Sequence, residues 1–188
     1  MVGCGNSDSK PDLTNTAPEK DPMESAVEWS KLQNRNGDAY IPNTDKPYSG
    51  WAKQNYDNEQ VKALAEFTDG SVTRLRKWQE NGIPMWDIRY SKGKVSLSDL
   101  PDMSYFHSDD SLQHGLRTTW YNNGQKWSEK NYKDGKEDGL ATKWYENGQK
   151  RQQINYKDGK KDGPFIVWNE KGKEIRRENY KDGEIVKD

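Results

Sequence analysis

The chain has 188 residues, room for one domain and a tail, and Leu, Ile, Val and Phe supply only 26 of them. That share is below the ~20% usual for a folded chain, but 30 basic residues nearly cancel 31 acidic ones, and eight Trp with ten Tyr are too many for a solvated coil. An aromatic core is therefore expected. A net charge of -1 removes the electrostatic case for a nucleic-acid partner, and one Cys with two His excludes a disulfide or a zinc cluster of the usual Cys/His kind. No run of about 18 apolar residues is present to cross a bilayer as a helix.

Residues 1–22 read as a flexible tether, since Asn6 to Pro22 is rich in Ser, Asp, Asn, Thr, Pro and Lys. The lone Cys, Cys4, stands in Met1-Val2-Gly3-Cys4-Gly5. Val2-Gly3-Cys4 resembles the end of a bacterial lipobox, which implies lipidation of Cys4 and makes the polar run a leash between membrane and fold. Gly5-Asn6 lacks the Asp that retains such proteins at the inner membrane, so the outer membrane is favoured in a Gram-negative cell. An incidental thiol near a cytosolic start is the alternative. Residues 23–49 form a capping segment, in which Asp21 as N-cap, Pro22 at the first helical position and Glu24 two residues later predict a short helix up to about Gln33.

From residue 50 to 188 the chain repeats itself with a period of 24. Gly115, Gly139 and Gly163 open the clearest units. Trp120, Trp144 and Trp168 follow, then Gly124, Gly148 and Gly172, then Tyr132, Tyr156 and Tyr180, then Gly135, Gly159 and Gly183. Fainter copies lie upstream, at Trp78, Gly82, Tyr90 and Gly93 and at Gly50, Phe67 and Gly70, which makes five units. The stretches between glycines are strand-sized, and the Asn-Gly and Asp-Gly pairs are hairpin signals. The prediction is an all-β array of antiparallel β-hairpin repeats forming one elongated meander sheet of ten strands, interrupted by an insertion at 94–114. Stacked units are expected to align the three Trp in one buried ladder and the three Tyr in another, replacing an aliphatic core.

Trp144-Tyr145-Glu146-Asn147-Gly148-Gln149-Lys150, with Asn155-Tyr156-Lys157-Asp158-Gly159 and Lys160-Lys161-Asp162-Gly163 after it, resembles the bacterial variant of the MORN repeat. Arg35-Asn36-Gly37, Tyr40, Pro42 and Lys46-Pro47-Tyr48-Ser49-Gly50 resemble the opening of the YwqK antitoxin family, and the combined resemblance covers about residues 32 to 188. It implies a hairpin array that binds other molecules rather than transforming them. The departures are the insertion, a first unit without W-x3-G around Tyr56, and Asn169 where two late units carry Tyr.

Asp134-Gly135-Lys136-Glu137-Asp138-Gly139 has acids where a calcium loop begins, but Lys136 at the third position and Tyr145 at the twelfth make a pair of tight turns the expected structure. His107, Asp109, Asp110 and His114 match no metal-ligand spacing. Met103, Tyr105, Phe106 and His107 are the candidate binding residues of the insertion, which breaks the sameness of the repeats. Tyr121 and Tyr145 are the candidates within the repeats, because each follows a Trp and is expected to face the other way, free to bind a cation or sugar. No nucleophile is placed with a base. The expected function is that of a non-enzymatic, lipid-anchored envelope protein that binds a protein partner, with no cofactor, no metal and no nucleic acid. A cytosolic antitoxin covering a toxin, a wall-glycan binder and a hydrolase are the alternatives.

Overall fold

The computed structural model describes residues 22–91, 95 and 112–186. Cys4, Met103, Tyr105, Phe106 and His107 lie outside the described residues. The strands are β1 (Val27–Glu28), β2 (Gln33–Arg35), β3 (Asp38–Tyr40), β4 (Gly50–Asn55), β5 (Val61–Thr68), β6 (Ser71–Trp78) and β7 (Pro84–Arg89). After the insertion come β8 (Gly115–Trp120), β9 (Lys126–Lys133), β10 (Lys136–Trp144), β11 (Lys150–Lys157), β12 (Lys160–Trp168), β13 (Glu174–Lys181) and β14 (Glu184–Val186). One sheet runs β1, then β4 to β14 in chain order, and β2 pairs with β3 in a separate hairpin. The pairs β4/β5, β6/β7, β8/β9, β10/β11 and β12/β13 are the five units. The sheet passes through the insertion without a break, because β7 pairs with β8 at Trp86↔Thr119 and Asp87↔Thr118.

The two ends of the hairpins use different turn chemistry. At one end Asp134 and Gly135 both have positive φ, 49° and 80°, and the same holds at Asp69/Gly70, Asp158/Gly159 and Asp182/Gly183. These are two-residue turns of the mirror-image type, whose twist matches that of the strands. At the other end only the Gly is left-handed, as at Gly148 (81°), and the Gly148 N–H donates to the Tyr145 carbonyl while the Tyr145 N–H donates to Gln149. A type I turn followed by a left-handed residue has this pattern, and Asn147 serves it by accepting the Gln149 N–H on Oδ1 rather than by adopting positive φ itself. The first unit makes the same turn with Asn55 in the Trp position and Glu59 at φ 66° in the Gly position. That substitution hid the unit from the W-x3-G spacing.

The predicted helix is a single turn, Pro22–Ser25. It stops because Val27 and Glu28 pair in parallel with Ala52 and Lys53, and Val27, Trp29 and Leu32 pack against the core instead of continuing a helical face. The cap is tied to the first unit by backbone bonds: Ala39 donates to Gly70, Gly70 to Tyr48, and Tyr48 to Ala39. A Cβ at Gly70 would lie 2.6 Å from Asp38 Cβ, so the approach requires glycine.

The core differs from the expected Trp ladder. It lies at the N-terminal end of the array, where Ala39, Ala52, Ala63, Ala65, Val72, Leu75 and Ile88 surround Phe67, Trp86 and Tyr90. Trp120, Trp144 and Trp168 are only half-buried. Each stands where a strand enters its turn, at a register shift, and in two of them a cation covers the ring: Lys126 Nζ is 5.8 Å from the Trp144 centroid and Lys150 Nζ 5.9 Å from that of Trp168. In the Tyr column Tyr132 is buried, whereas Tyr156 and Tyr180 are half-buried.

Candidate interaction surface

Neighbouring units are joined at both ends of their hairpins. At the Trp end, the Tyr121 hydroxyl donates to the Trp144 carbonyl at 2.8 Å and the Tyr145 hydroxyl to the Trp168 carbonyl at 2.9 Å. Tyr56 does the same to Trp78 at 2.9 Å. Asn123 Nδ2 donates to the Glu146 carbonyl and Asn147 Nδ2 to that of Glu170. Three turns therefore hook onto the backbone of the next, and the second unit's turn reaches its neighbour through side chains, Gln79 Nε2 donating to Asn122 Oδ1 at 3.0 Å. At the Asp-Gly end, the amides of Gly135, Gly159 and Gly183 donate to the carbonyls of Gln113, just before β8, Glu137 on β10 and Lys161 on β12. The neighbouring Asp amide is taken by a side chain: Asp158 N–H by Asp138 Oδ2 at 3.1 Å, Asp69 N–H by Ser49 Oγ at 2.9 Å.

These bonds reassign several sequence-predicted residues. The hydroxyls of Tyr121 and Tyr145 serve as clasps, and burial raises the Tyr121 hydroxyl pKa, which keeps it a donor. Asp138 caps the next turn, and Gly139 is a bulge inside β10, at φ 103°, so the Asp134–Gly139 run holds one tight turn and a bulge instead of two turns. Asn169, the departure in the last full unit, accepts the N–H groups of Lys171 and Lys173 on Oδ1 and so replaces the turn Asn that the unit lacks. His114 stands at the position of Asp138 one repeat earlier, with Nδ1 3.4 Å from both the Asp134 amide and its carboxylate.

Between the ends, β8 to β11 carry a charged patch that sequence reasoning missed. Lys130 on β9 bonds Glu137 on β10. Burial opposes the Lys130 charge, but the bond to Glu137 and the proximity of Tyr132 outweigh it, and its pKa is raised. Lys143 faces the opposite balance: burial and then the charges of Lys130 and Arg151 lower its pKa. Arg117, Thr119, Ser128, Lys130, Tyr132 and Lys143 line a shallow cavity of about 130 Å³ here. Large apolar side chains are exposed in this half of the array, at Trp127, Leu140, Ile175, Ile185 and Val186.

The family model described as the MORN repeat variant matches residues 113–134 and 137–158. These two segments are similar to the MORN repeat variant. Their limits follow the hairpins, each running from the start of its first strand or just before it, through the Trp-end turn, to the Asp-Gly turn whose glycine amide donates back to the segment's first residue, Gln113 or Glu137. The other MORN-like units of the array share their turn geometry and pairing but lie outside the matched residues. No curated protein matches the chain. Among solved structures it is similar to one titled "Crystal structure of GtfA/B complex bound to UDP and GlcNAc", at 13% identity, over 79% of this chain and 23% of that one, with a TM-score of 0.24. The chain spans under a quarter of that protein's length, and a TM-score of that size carries no argument about fold or function.

Proposed function

We propose that this chain is a non-enzymatic display protein: a MORN-repeat sheet that presents its side chains to a protein partner. The observation that carries the reading is where the cohesion of the array lies. Adjacent units are held by pairing and by clasps at the two rims, so from β9 onward only a few side chains between the rims, among them Tyr132, Ala141 and Ile154, are buried, and exposed Trp127, Leu140 and Ile175 lie among Lys, Arg and Glu. An extended surface built by stacked repeats suits macromolecular partners, and exposed aromatic and aliphatic groups among charges are the composition of an interface centre with its rim. Display rather than turnover also fits the use of charge, since Lys130 is spent on Glu137 and Arg74 on Asp87. Membrane attachment at a bacterial envelope through lipid on Cys4 is part of the proposal, supported by Val2-Gly3-Cys4 and the polar run after it.

Two measurements test it. A photoreactive residue placed at Leu140 or Ile175 in living cells is expected to crosslink to one protein, while the same residue at Asp57, at the other end of the array, is not; a folded chain that crosslinks to nothing contradicts display. Palmitate labelling lost in Cys4→Ser supports the anchor, whereas unlabelled wild type favours the cytosolic antitoxin reading.

A further inference from the structure

In three units a Tyr begins the Trp-end turn, and the residue six positions on covers its ring. Lys62 Nζ lies 5.7 Å from the Tyr56 centroid, and the Arg151 guanidinium lies 5.7 Å from that of Tyr145. Both occupants are cations. The unit between them in the series breaks the rule, because Trp127 stands in that place, 6.5 Å from the Tyr121 ring and inclined at 60°. An acid of the following unit acts on the Tyr in two of the three units, Glu80 on Tyr56 and Glu146 on Tyr121; Arg151 acts on Tyr121 ahead of Glu146, although no cation stands six positions after Tyr121.

A groove of about 650 Å³ lies here between Trp120, Tyr121, Asn122, Asn123, Trp127 and Glu146. Trp127 is 43% exposed and Glu146 is exposed. The protein's own nearby cations are engaged elsewhere: Arg151 on the Tyr145 ring, and Lys126 on Glu129 at 2.5 Å and over Trp144. Aromatic faces beside a carboxylate attract a cation, and a planar guanidinium stacks on rings while offering paired N–H donors to a carboxylate. The volume admits an arginine side chain with its flanking peptide.

We propose that this groove is an arginine-binding site, which takes from a protein partner the cation that Lys62 and Arg151 supply internally in the sister units. The proposal rests on the display reading above and names the chemistry of its partner.

The test uses the full chain and two probes, acetyl-arginine amide and its uncharged citrulline counterpart. The indole N–H resonance of Trp127 is expected to shift saturably with the arginine probe, with a dissociation constant on the order of millimolar as befits one contact. The citrulline probe is expected to bind at least ~10-fold more weakly, about the share of binding that a cation over rings contributes. Trp127→Arg installs the residue of the next unit, keeps the fold and fills the groove, so the response read at the Trp120 indole should vanish; Glu146→Gln should weaken it severalfold. Equal binding of both probes, or a Trp127→Arg chain that still responds, overturns the site. Absence of any probe response while Leu140 still crosslinks to a partner overturns the site and leaves display standing; a probe response without any crosslinked partner overturns the assignment to a protein.

Discussion

The Tyr121 hydroxyl donates to the carbonyl of Trp144, one repeat further on, at 2.8 Å, and the relationship recurs between Tyr145 and Trp168. Each turn thus closes twice, once within its own hairpin and once on its neighbour. Removing the hydroxyl leaves the ring contacts in place and strips a half-buried carbonyl of its side-chain donor. Tyr121→Phe and Tyr145→Phe are each expected to cost about 0.5–1.5 kcal/mol in urea denaturation, the net worth of one neutral hydrogen bond. The double variant should be additive to within ~0.5 kcal/mol, since the two clasps share no partner atom. A loss below the detection limit in both would mean that the clasps are incidental.

The first unit tests the turn geometry in the opposite direction. Glu59 occupies at φ 66° the place that Gly82, Gly124, Gly148 and Gly172 hold elsewhere. A side chain in the left-handed region costs roughly 1–2 kcal/mol, partly offset by the lower chain entropy of a non-Gly residue when unfolded. Glu59→Gly should therefore raise the melting midpoint slightly, by up to about 1 kcal/mol in stability. Gly148→Ala should lower it by at least that much, because the new Cβ would also meet Gln125 Oε1 at 3.2 Å. Both are read in thermal melts, and a change of the same sign in the two variants would contradict the assigned turn.

Aromatic burial is uneven along the array. Trp86 is 2% exposed within the N-terminal core, whereas Trp144 is half-buried at a rim. Trp86→Ala should cost about 3–5 kcal/mol, and Trp144→Ala clearly less. Denaturant midpoints decide the order, and the reverse order would restore the Trp ladder as the main core.

The spacing of Gly, Trp and Tyr made five hairpins legible, because strand length and turn chemistry are local properties that a period exposes. Contacts between units are a different matter. Tyr121 bonds a backbone carbonyl 23 residues away, and a carbonyl carries no residue identity, so the sequence marks the donor as repeating without showing what it serves. The Trp ladder failed for a related reason: a repeated large ring reads as core, but these rings stand half-buried at register shifts, and lysine ammonium groups lie over two of them. The capping helix failed because Val27, Trp29 and Leu32 answer to tertiary packing, which overrides a good N-terminal signal. Of the arginine site, the visible trace is Trp127, which breaks the period where Arg151 and Ile175 stand in later units.

Acid sensitivity should concentrate in the last units. The carboxyls of Asp162, Glu174 and Glu178 are held below their ordinary values by hydrogen bonds from Lys181, Arg177 and Arg176 respectively. A depressed folded pKa means that the unfolded chain binds protons first. The stabilisation is therefore present above the ordinary carboxyl values of 3.8 and 4.5 and is lost as pH falls through them toward the folded values. Glu174 is exposed and Asp162 and Glu178 are half-buried at the surface, so salt should weaken the effect. Melting midpoints measured from pH 6 to about pH 3 should fall more steeply for wild type than for Lys181→Met, and parallel curves would remove Lys181 as the cause.

Each unit is stitched to its predecessor at the Asp-Gly rim. Amide hydrogen exchange of Gly135, Gly159 and Gly183 measures this directly. In an isolated two-residue turn these amides point to solvent, whereas here they donate to Gln113, Glu137 and Lys161 at 2.8–2.9 Å. Slow exchange is expected at Gly135 and Gly159, comparable with the strand amides of β10, and fast exchange at the exposed turn residues Asn122 and Glu146. Exchange at Gly135 and Gly159 as fast as at Asn122 and Glu146 would contradict it, leaving hairpins that pair along their strands and are not joined at their rims.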